Sequence, residues 1–432
     1  MRNRSMRRWL GAAFAGLLTL TACAGQGTQP DDDGGDSGQV TLSFWNGFTG
    51  PDRAAVEGLV QQYNDSQDKV TVEMQISPWD VFFQKLLPSI GAGKGPDLMA
   101  MDSVQLPQYA SRGVLDPLDD YYADSSTESD KLVQSAVDAT DWQGTKYGVP
   151  MNFTTLLLYW NKDMFKAAGL DPEQPPQDWQ EFQDAATKLT VDKNGDGKPE
   201  QYGIALADHA TIAMWPILFW GNGGGVVSED GSTATLGDPE TIEAMEEWGT
   251  LVRKKSISPI GLAGADADKL FQSKKAAMEI VGPWMTSGFE DAGIDFGLAP
   301  PPAGPAGQVT LGTSVAFAVN AKTSDTKREA ARDFIAFWNS HDSQVYFAVH
   351  SGFPPTRTDV TEDEISENPY VAEFAAPADD SRFFLAQVKD FTKINDTIFT
   401  PALQKVLNGE GTAAQLFPKA SQDIQAVLDA QG

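Results

Sequence analysis

Five consecutive segments near the start of the chain alternate between two hydrophobic periods, and this restricts the fold more than any other feature. Residues 40–45 (VTLSFW) have strand character. Over residues 51–64, Val56, Leu59, Val60 and Tyr63 recur at helical spacing, and Pro51 suits a first helical turn. Residues 70–76 alternate as a strand. Residues 79–90 read as a helix, with Phe82, Phe83, Leu86, Leu87 and Ile90 on one wide apolar face. Residues 98–101 form a short apolar strand after Gly95, Pro96 and Asp97. Strand, helix, strand, helix, strand predicts an α/β unit on a largely parallel sheet. Such sheets bind ligands beyond the carboxyl ends of their strands. That rule puts the stretch from Trp45 through Asn46 to Phe48, and that from Asp102 to Gln105, at a candidate ligand edge. Trp45 can equally pack inward, and Asp102 can equally cap the segment that follows it.

The rest of the chain repeats the theme. Residues 146–159 are apolar and β-prone, and residues 175–189 open a helix. A second α/β unit is predicted from strands at 202–205, 277–281 and 296–299 with a helix at 241–254. A proline-rich loop covers 300–305. A strand at 314–320 and a helix at 327–340 follow, and helices near 370–374, 383–407 and 413–429 close the chain. A length of 432 residues fits two or three domains.

Charge and rare residues narrow the function. Lys and Arg number 32 against 60 acids, a formal charge of -28, which is the wrong sign for a nucleic-acid partner. A single cysteine excludes an internal disulfide and a Cys-rich zinc site. His209, His341 and His350 are scattered and form no HExxH pair.

Residues 1–22 have a basic start (Arg2, Arg4, Arg7, Arg8) and an apolar run, the layout of a secretory signal. Its removal takes away four arginines and no acid, so the charge moves to -32. The run ends Leu20-Thr21-Ala22-Cys23, which resembles a bacterial lipobox with Cys23 as the lipidated residue. Residues 23–39 are a polar, flexible tether. The expected product is exported and lipid-anchored on the outer face of the cytoplasmic membrane. No later stretch reaches 18 consecutive apolar residues, so the anchor is the expected membrane contact.

One cluster has metal-ligand spacing. Asp192, Asn194 and Asp196 supply alternate side-chain oxygens, Lys198 a carbonyl and Glu200 a carboxylate, with Gly197 at the sixth position. The twelfth position is Gly203 instead of a bidentate Glu. A structural calcium and a metal-free Asx-rich turn both fit. Residues 91–95 (GAGKG) lack the Ser or Thr of a phosphate-binding loop, and 35–38 (GDSG) lie in the tether.

Six further segments carry a resemblance. They are residues 44–49 (FWNGFT), 91–98 (GAGKGPDL), 147–150 (YGVP), 159–165 (YWNKDMF), 282–284 (GPW) and 351–357 (SGFPPTR). In this order, behind a lipobox, the chain resembles extracellular solute-binding proteins of family 1, the carbohydrate-binding components of bacterial ABC importers. The resemblance implies two α/β lobes, a hinge crossed three times and a sugar cleft between the lobes. It places lobe one at 40–152 plus 313–352, and lobe two at 153–312 plus 353–432. It implies a monomeric, non-enzymatic receptor that needs no cofactor and delivers its sugar to permease subunits. Trp284 matches the family's stacking tryptophan, with lobe-two core as the other reading. Arg357 matches an arginine that reaches the cleft, with a surface salt bridge as the other reading. Trp220, beside the glycine run 221–225, is a candidate lobe-two wall. Two other functions remain open on sequence: a secreted glycoside hydrolase, which needs two placed carboxyls, and a binder of a phosphorylated polyol such as a glycerol phosphate.

Overall fold

The structure is a computed structural model that describes residues 39–210 and 214–430. The signal segment 1–22, the lipidation site Cys23 and the tether up to residue 38 lie outside the described residues.

The predicted opening run is present: β1 (Val40–Asn46), α1 (Arg53–Ser66), β2 (Val70–Ile76), α2 (Trp79–Gly91) and β3 (Leu98–Asp102). β1 pairs in parallel with β2 and with β3. The single apolar run at 146–159 is split. β4 (Val149–Thr155) joins the first sheet, and β5 (Leu157–Asn161) founds a second one. Leu156 alone separates them, and both strands are buried along their whole length. A strand covered on both faces loses its polar alternation, so nothing in the run marks the switch.

The helices α3 (Trp179–Leu189), α4 (Met214–Gly221), α5 (Pro239–Lys255) and α6 (Gly264–Gln272) follow. Next come β6 (Met278–Val281), the short α7 (Thr286–Asp291) and β7 (Phe296–Ala299). β5 lies between β6 and β7, antiparallel to both. The predicted strand at 202–205 contributes only isolated parallel bridges, Tyr202 to Ala276 and Ala205 to Glu279.

β8 (Thr310–Val319) returns to the first sheet and runs antiparallel to β3 on one side and β4 on the other. The first sheet is therefore mixed, a correction to the largely parallel expectation. α8 (Asp325–Trp338) and α9 (His341–Ser351) then cover it. The chain crosses back to pack α10 (Thr400–Leu407) and α11 (Ala413–Asp429) with α5. The predicted helix at 383–407 is shorter. Leu385 and Gln387 adopt left-handed backbone, and a wide helical turn begins only at Lys393.

Each sheet has its own cores. Leu42, Phe44, Leu98, Phe317, Phe334 and Trp338 centre one cluster beside the first sheet, and Phe82, Met99, Met101 and Tyr109 centre another. The second sheet is flanked by a large cluster around Trp215, Phe219 and Trp248, and a smaller one around Tyr159, Phe271 and Phe289. The chain passes between these regions at Leu156, between β7 and β8, and after α9.

Candidate functional site

The carboxyl edge of the first sheet collects polar side chains that a core would not choose. Phe44 aligns with Leu98 across β1 and β3, so by the pleat Asn46 and Asp102 project from one face. Val315 of β8 lies opposite both Asp102 and Asn152, which extends that row onto β4. Asn46 and Asn152 are buried, at 0% and 1% exposure. Each amide oxygen is engaged: that of Asn46 accepts from the Phe48 N–H at 3.2 Å, and that of Asn152 from the Val315 N–H at 2.9 Å. Neither amide NH2 has a hydrogen-bond partner among the described residues. The same holds for the Ser103 hydroxyl and the Gln105 amide oxygen, one turn beyond β3. Unpaired buried donors and acceptors cost free energy unless something satisfies them.

Asp102 serves two purposes. One oxygen accepts from the Val104 N–H at 3.4 Å and caps the turn 103–105, as the capping reading expected. Burial pushes its carboxyl up to about 6, against that amide's small lowering effect, and no neighbouring cation opposes it. Such a group is a strong acceptor when ionised and a donor when protonated.

Trp284 stands at the junction. Its half-buried ring packs against the main core of the first sheet and against both clusters of the second. It lies 6.3 Å from the Phe353 ring, tilted by 30°. A β-carbon at Gly282 would stand 2.0 Å from the indole, so only glycine lets the ring fold back over the end of β6. Gly47, just past β1, makes the same room for Trp79. Two strand ends thus each carry a tryptophan laid flat over a glycine. Trp79 is half-buried and packs edge-on against Phe48.

The structure brings Asn46, Asp102 and Gln105 together and adds Ser103 and Asn152, which the sequence reading missed. Three other candidates have different surroundings. Trp45 is on the opposite face from Asn46 and packs beside Met99, Met101 and Phe82. Trp220 belongs to the large core on α4, where it borders a cavity of about 30 Å³ with Val226, Glu229, Arg382 and Phe384. A second cavity of about 290 Å³ shares Glu229 and Arg382 with the first.

Arg357 does not reach any opening. Its side chain is 3% exposed and forks onto Asp359 at 2.8 and 2.7 Å, while donating to the Asn339 carbonyl at 2.9 Å and pairing with Glu128 at 3.0 Å. The Asp359 bond, chiefly, raises its pKa above the ordinary arginine value.

The 192–200 loop closes on itself. Asp192 accepts from the Gly195 and Gly197 N–H groups, and Asn194 and Asp196 each accept from the residue two further on. Glu200 accepts from the Lys193 N–H and the Asn194 amide. Among the described residues, no group of three or more His, Cys, Asp or Glu is arranged to hold a metal ion. No helix among them is long and apolar enough to cross a membrane.

Known proteins share this architecture. A maltotriose-binding protein of Pyrococcus abyssi is 26% identical over 78% of this chain and 71% of its own length. An uncharacterized lipoprotein from the oleD 5′ region of Streptomyces antibioticus is 27% identical, covering 95% of this chain and 91% of its own. The sn-glycerol-3-phosphate-binding periplasmic protein UgpB of Escherichia coli is 25% identical over 54% of each. The crystal structure of an ABC transporter solute-binding protein from Thermotoga lettingae, bound to alpha-D-tagatose, superposes with a TM-score of 0.81 at 25% identity, covering 90% of this chain and all of that one. It has the two-lobed form of this class, in which two sheet-centred bodies face each other. Residues 47–345 match the sequence profile of one family, and the chain belongs to it: the bacterial extracellular solute-binding proteins.

Proposed function

We propose that this chain is the sugar-capturing component of a bacterial ABC importer, a binding protein that performs no chemistry on its ligand. The observation that carries this is the row of buried, unpartnered polar atoms on Asn46, Ser103, Gln105 and Asn152 around Asp102. Hydroxyls are both donors and acceptors, so a hydroxyl-rich ligand satisfies amide NH2 groups, an amide oxygen and a carboxylate at once. Trp284 offers a flat apolar ring for the C–H face of a sugar. A phosphate would need Arg or Lys at this edge, and no cation acts on Asp102. The sugar reading is therefore favoured over the phosphorylated polyol.

In this reading lobe one is 40–152 plus 313–352 and lobe two is 153–312 plus 353–432, except that residues 353–358 pack on lobe one through Phe353 and the bonds of Thr356, Arg357 and Thr358, so the last of the three hinge crossings follows Thr358. Ligand bridges the lobes and favours the closed form by its differential affinity. The protein acts as a monomer tethered through Cys23, exported, and presented to membrane permease subunits. The Streptomyces relative described as a lipoprotein supports the tether.

The test is thermal unfolding of the body from residue 39 onward against a panel of mono- and oligosaccharides. A sugar at one hundred times its Kd should stabilise the fold by about 2.7 kcal/mol. A shift with one sugar class is the expected result. No shift with any sugar, or turnover of a glycan, overturns the proposal.

The 192–200 loop is proposed to hold its shape through its own turns, with no cofactor required. Adding calcium or EDTA is expected to leave the midpoint unchanged. A calcium-dependent rise would restore the metal reading for Asp192, Asn194, Asp196, Lys198 and Glu200.

A further inference from the structure

Asp52 of the first sheet region lies within electrostatic reach of Asp268, which pairs with Glu279 in the second, beside the point where Pro51 and Gly288 bring the regions together. Asp52 opens α1 and is 5% exposed. Glu279 sits in the middle of β6 at 2% exposure, a lone acid in an apolar strand, and its Oε2 has no hydrogen-bond partner among the described residues. Asp268 of α6 lies within hydrogen-bonding reach of the Glu279 carboxyl and of the Trp284 indole N–H. The surroundings are tight. A β-carbon on Gly288 of α7 would stand 2.7 Å from Pro51 Cγ.

Resting on the two-lobe reading above, we propose that Asp52, Asp268 and Glu279 form a proton-linked closing device, in which burial of acids from both lobes makes closure take up protons. Two like charges brought together out of water repel, and each loses its hydration. Closure therefore selects the protonated forms, and ionisation favours opening.

The neighbours do not cancel this. Among the described residues, the charge acting on both Asp52 and Glu279 is another acid, Asp268. Lys269 acts on Asp268, but it is exposed and shared with Asp266 at 3.3 Å. Arg53, next to Asp52, pairs with Glu57 at 2.7 Å. Tyr159, opposite Glu279 on β5, is hydrogen-bonded to Thr286 and held neutral by burial, with Glu279, Tyr370 and Glu290 raising it further. Tyr370 donates to Glu290 at 2.9 Å. Two charged pairs also lie at the last crossing between the proposed lobes, Arg357 with Glu128 at 3.0 Å and His341 with Glu364 at 3.4 Å, and neither touches the three acids, so the Asp52 and Asp268 variants separate their titration from that of the device. Gln108 donates to the Thr392 hydroxyl at 2.9 Å and accepts from its N–H at 3.1 Å.

The titration directions agree with the geometry. Burial pushes Asp52 up to about 7 and Asp268 to about 6, and drives Glu279 well above the carboxylate range. A carboxyl whose pKa is raised on closure binds more protons closed than open. The closed form is thus favoured at low pH and weakens as pH rises from about 4 through about 7, where Asp52 ionises, and further as Glu279 ionises. Each unit of difference between open and closed changes the closing equilibrium about tenfold.

The experiment needs no ligand, so it stands or falls separately from the sugar assignment. Small-angle X-ray scattering of the unliganded body, from residue 39 onward, is compared at pH 5 and pH 8. The expected result is a rise in radius of gyration of about 1 Å on a body of about 21 Å. Asp52→Asn keeps the size of the side chain and removes the charge. It should stay compact at both pH values, as should Asp268→Asn. Gly288→Ala, which wedges Pro51 away, should be expanded at both. Equal radii for the wild type at the two pH values overturn the proposal. So does an Asp52→Asn variant that expands like the wild type, or a Gly288→Ala variant that is folded by circular dichroism and stays compact.

Discussion

Replacing Trp284 with alanine is expected to weaken sugar binding by about 2–3 kcal/mol, roughly 30- to 150-fold in Kd. The ring is half-buried and touches the core of both sheet regions, so it loses apolar contact with protein and ligand alike. Two effects must be separated. Loss of packing lowers the unfolding midpoint whether or not the ring touches sugar. Loss of stacking raises Kd in the molecules that remain folded. Trp284→Phe divides them, because a smaller aromatic ring retains a flat face while giving up the indole bond to Asp268. Calorimetric titration of the sugar found in the panel should place Trp284→Phe between wild type and Trp284→Ala. A folded Trp284→Ala protein with unchanged affinity would make the residue a packing element between the lobes and nothing more.

Much of the first sheet could be read from periodicity, because β1 to β3 are joined by amphipathic helices whose apolar faces repeat at helical spacing. What could not be read was the partner across a distance. β8 was placed as a strand, yet its antiparallel pairing with β3 and β4 depends on residues more than a hundred positions away. The split at Leu156 was invisible for a related reason: two fully buried strands in two sheets give one continuous apolar run. The segment before Lys393 reads as helix by composition, but tertiary contacts hold Leu385 and Gln387 in left-handed backbone.

The site divides along the same line. Asn46, Asp102 and Gln105 were found because strand ends at a sheet's carboxyl edge are a general rule. Asn152 and Glu279 were missed although a signal existed. Glu279 is a lone acid in an apolar strand and Asn152 an amide among buried strand residues, and such groups are buried at a cost that calls for a reason. Nothing in the sequence around Asp52 marks it, and Pro51 and α7 pack beside it.

Arg357 is the sharpest case, and replacing it with alanine is expected to cost about 2–4 kcal/mol of stability while leaving the affinity of the folded protein within about twofold. The magnitude follows from its surroundings. The side chain is almost fully buried, so its loss leaves the Asn339 carbonyl and the Asp359 carboxylate without their donor. The figure sits below that for a fully buried pair because Glu128 and Asp359 reach solvent, at 58% and 37% side-chain exposure, and water screens their share. Lysine should rescue little, since the bidentate grip on Asp359 needs the planar fork. Denaturant midpoints measure the first effect and calorimetry the second. The two outcomes are opposed by the chemistry: a cleft arginine would lower affinity and spare stability, whereas this one ties residues 128, 339 and 359 into one rigid corner beside α8. A large loss of affinity at unchanged stability would return Arg357 to the cleft, and would mean that its ion pairs open when the ligand enters.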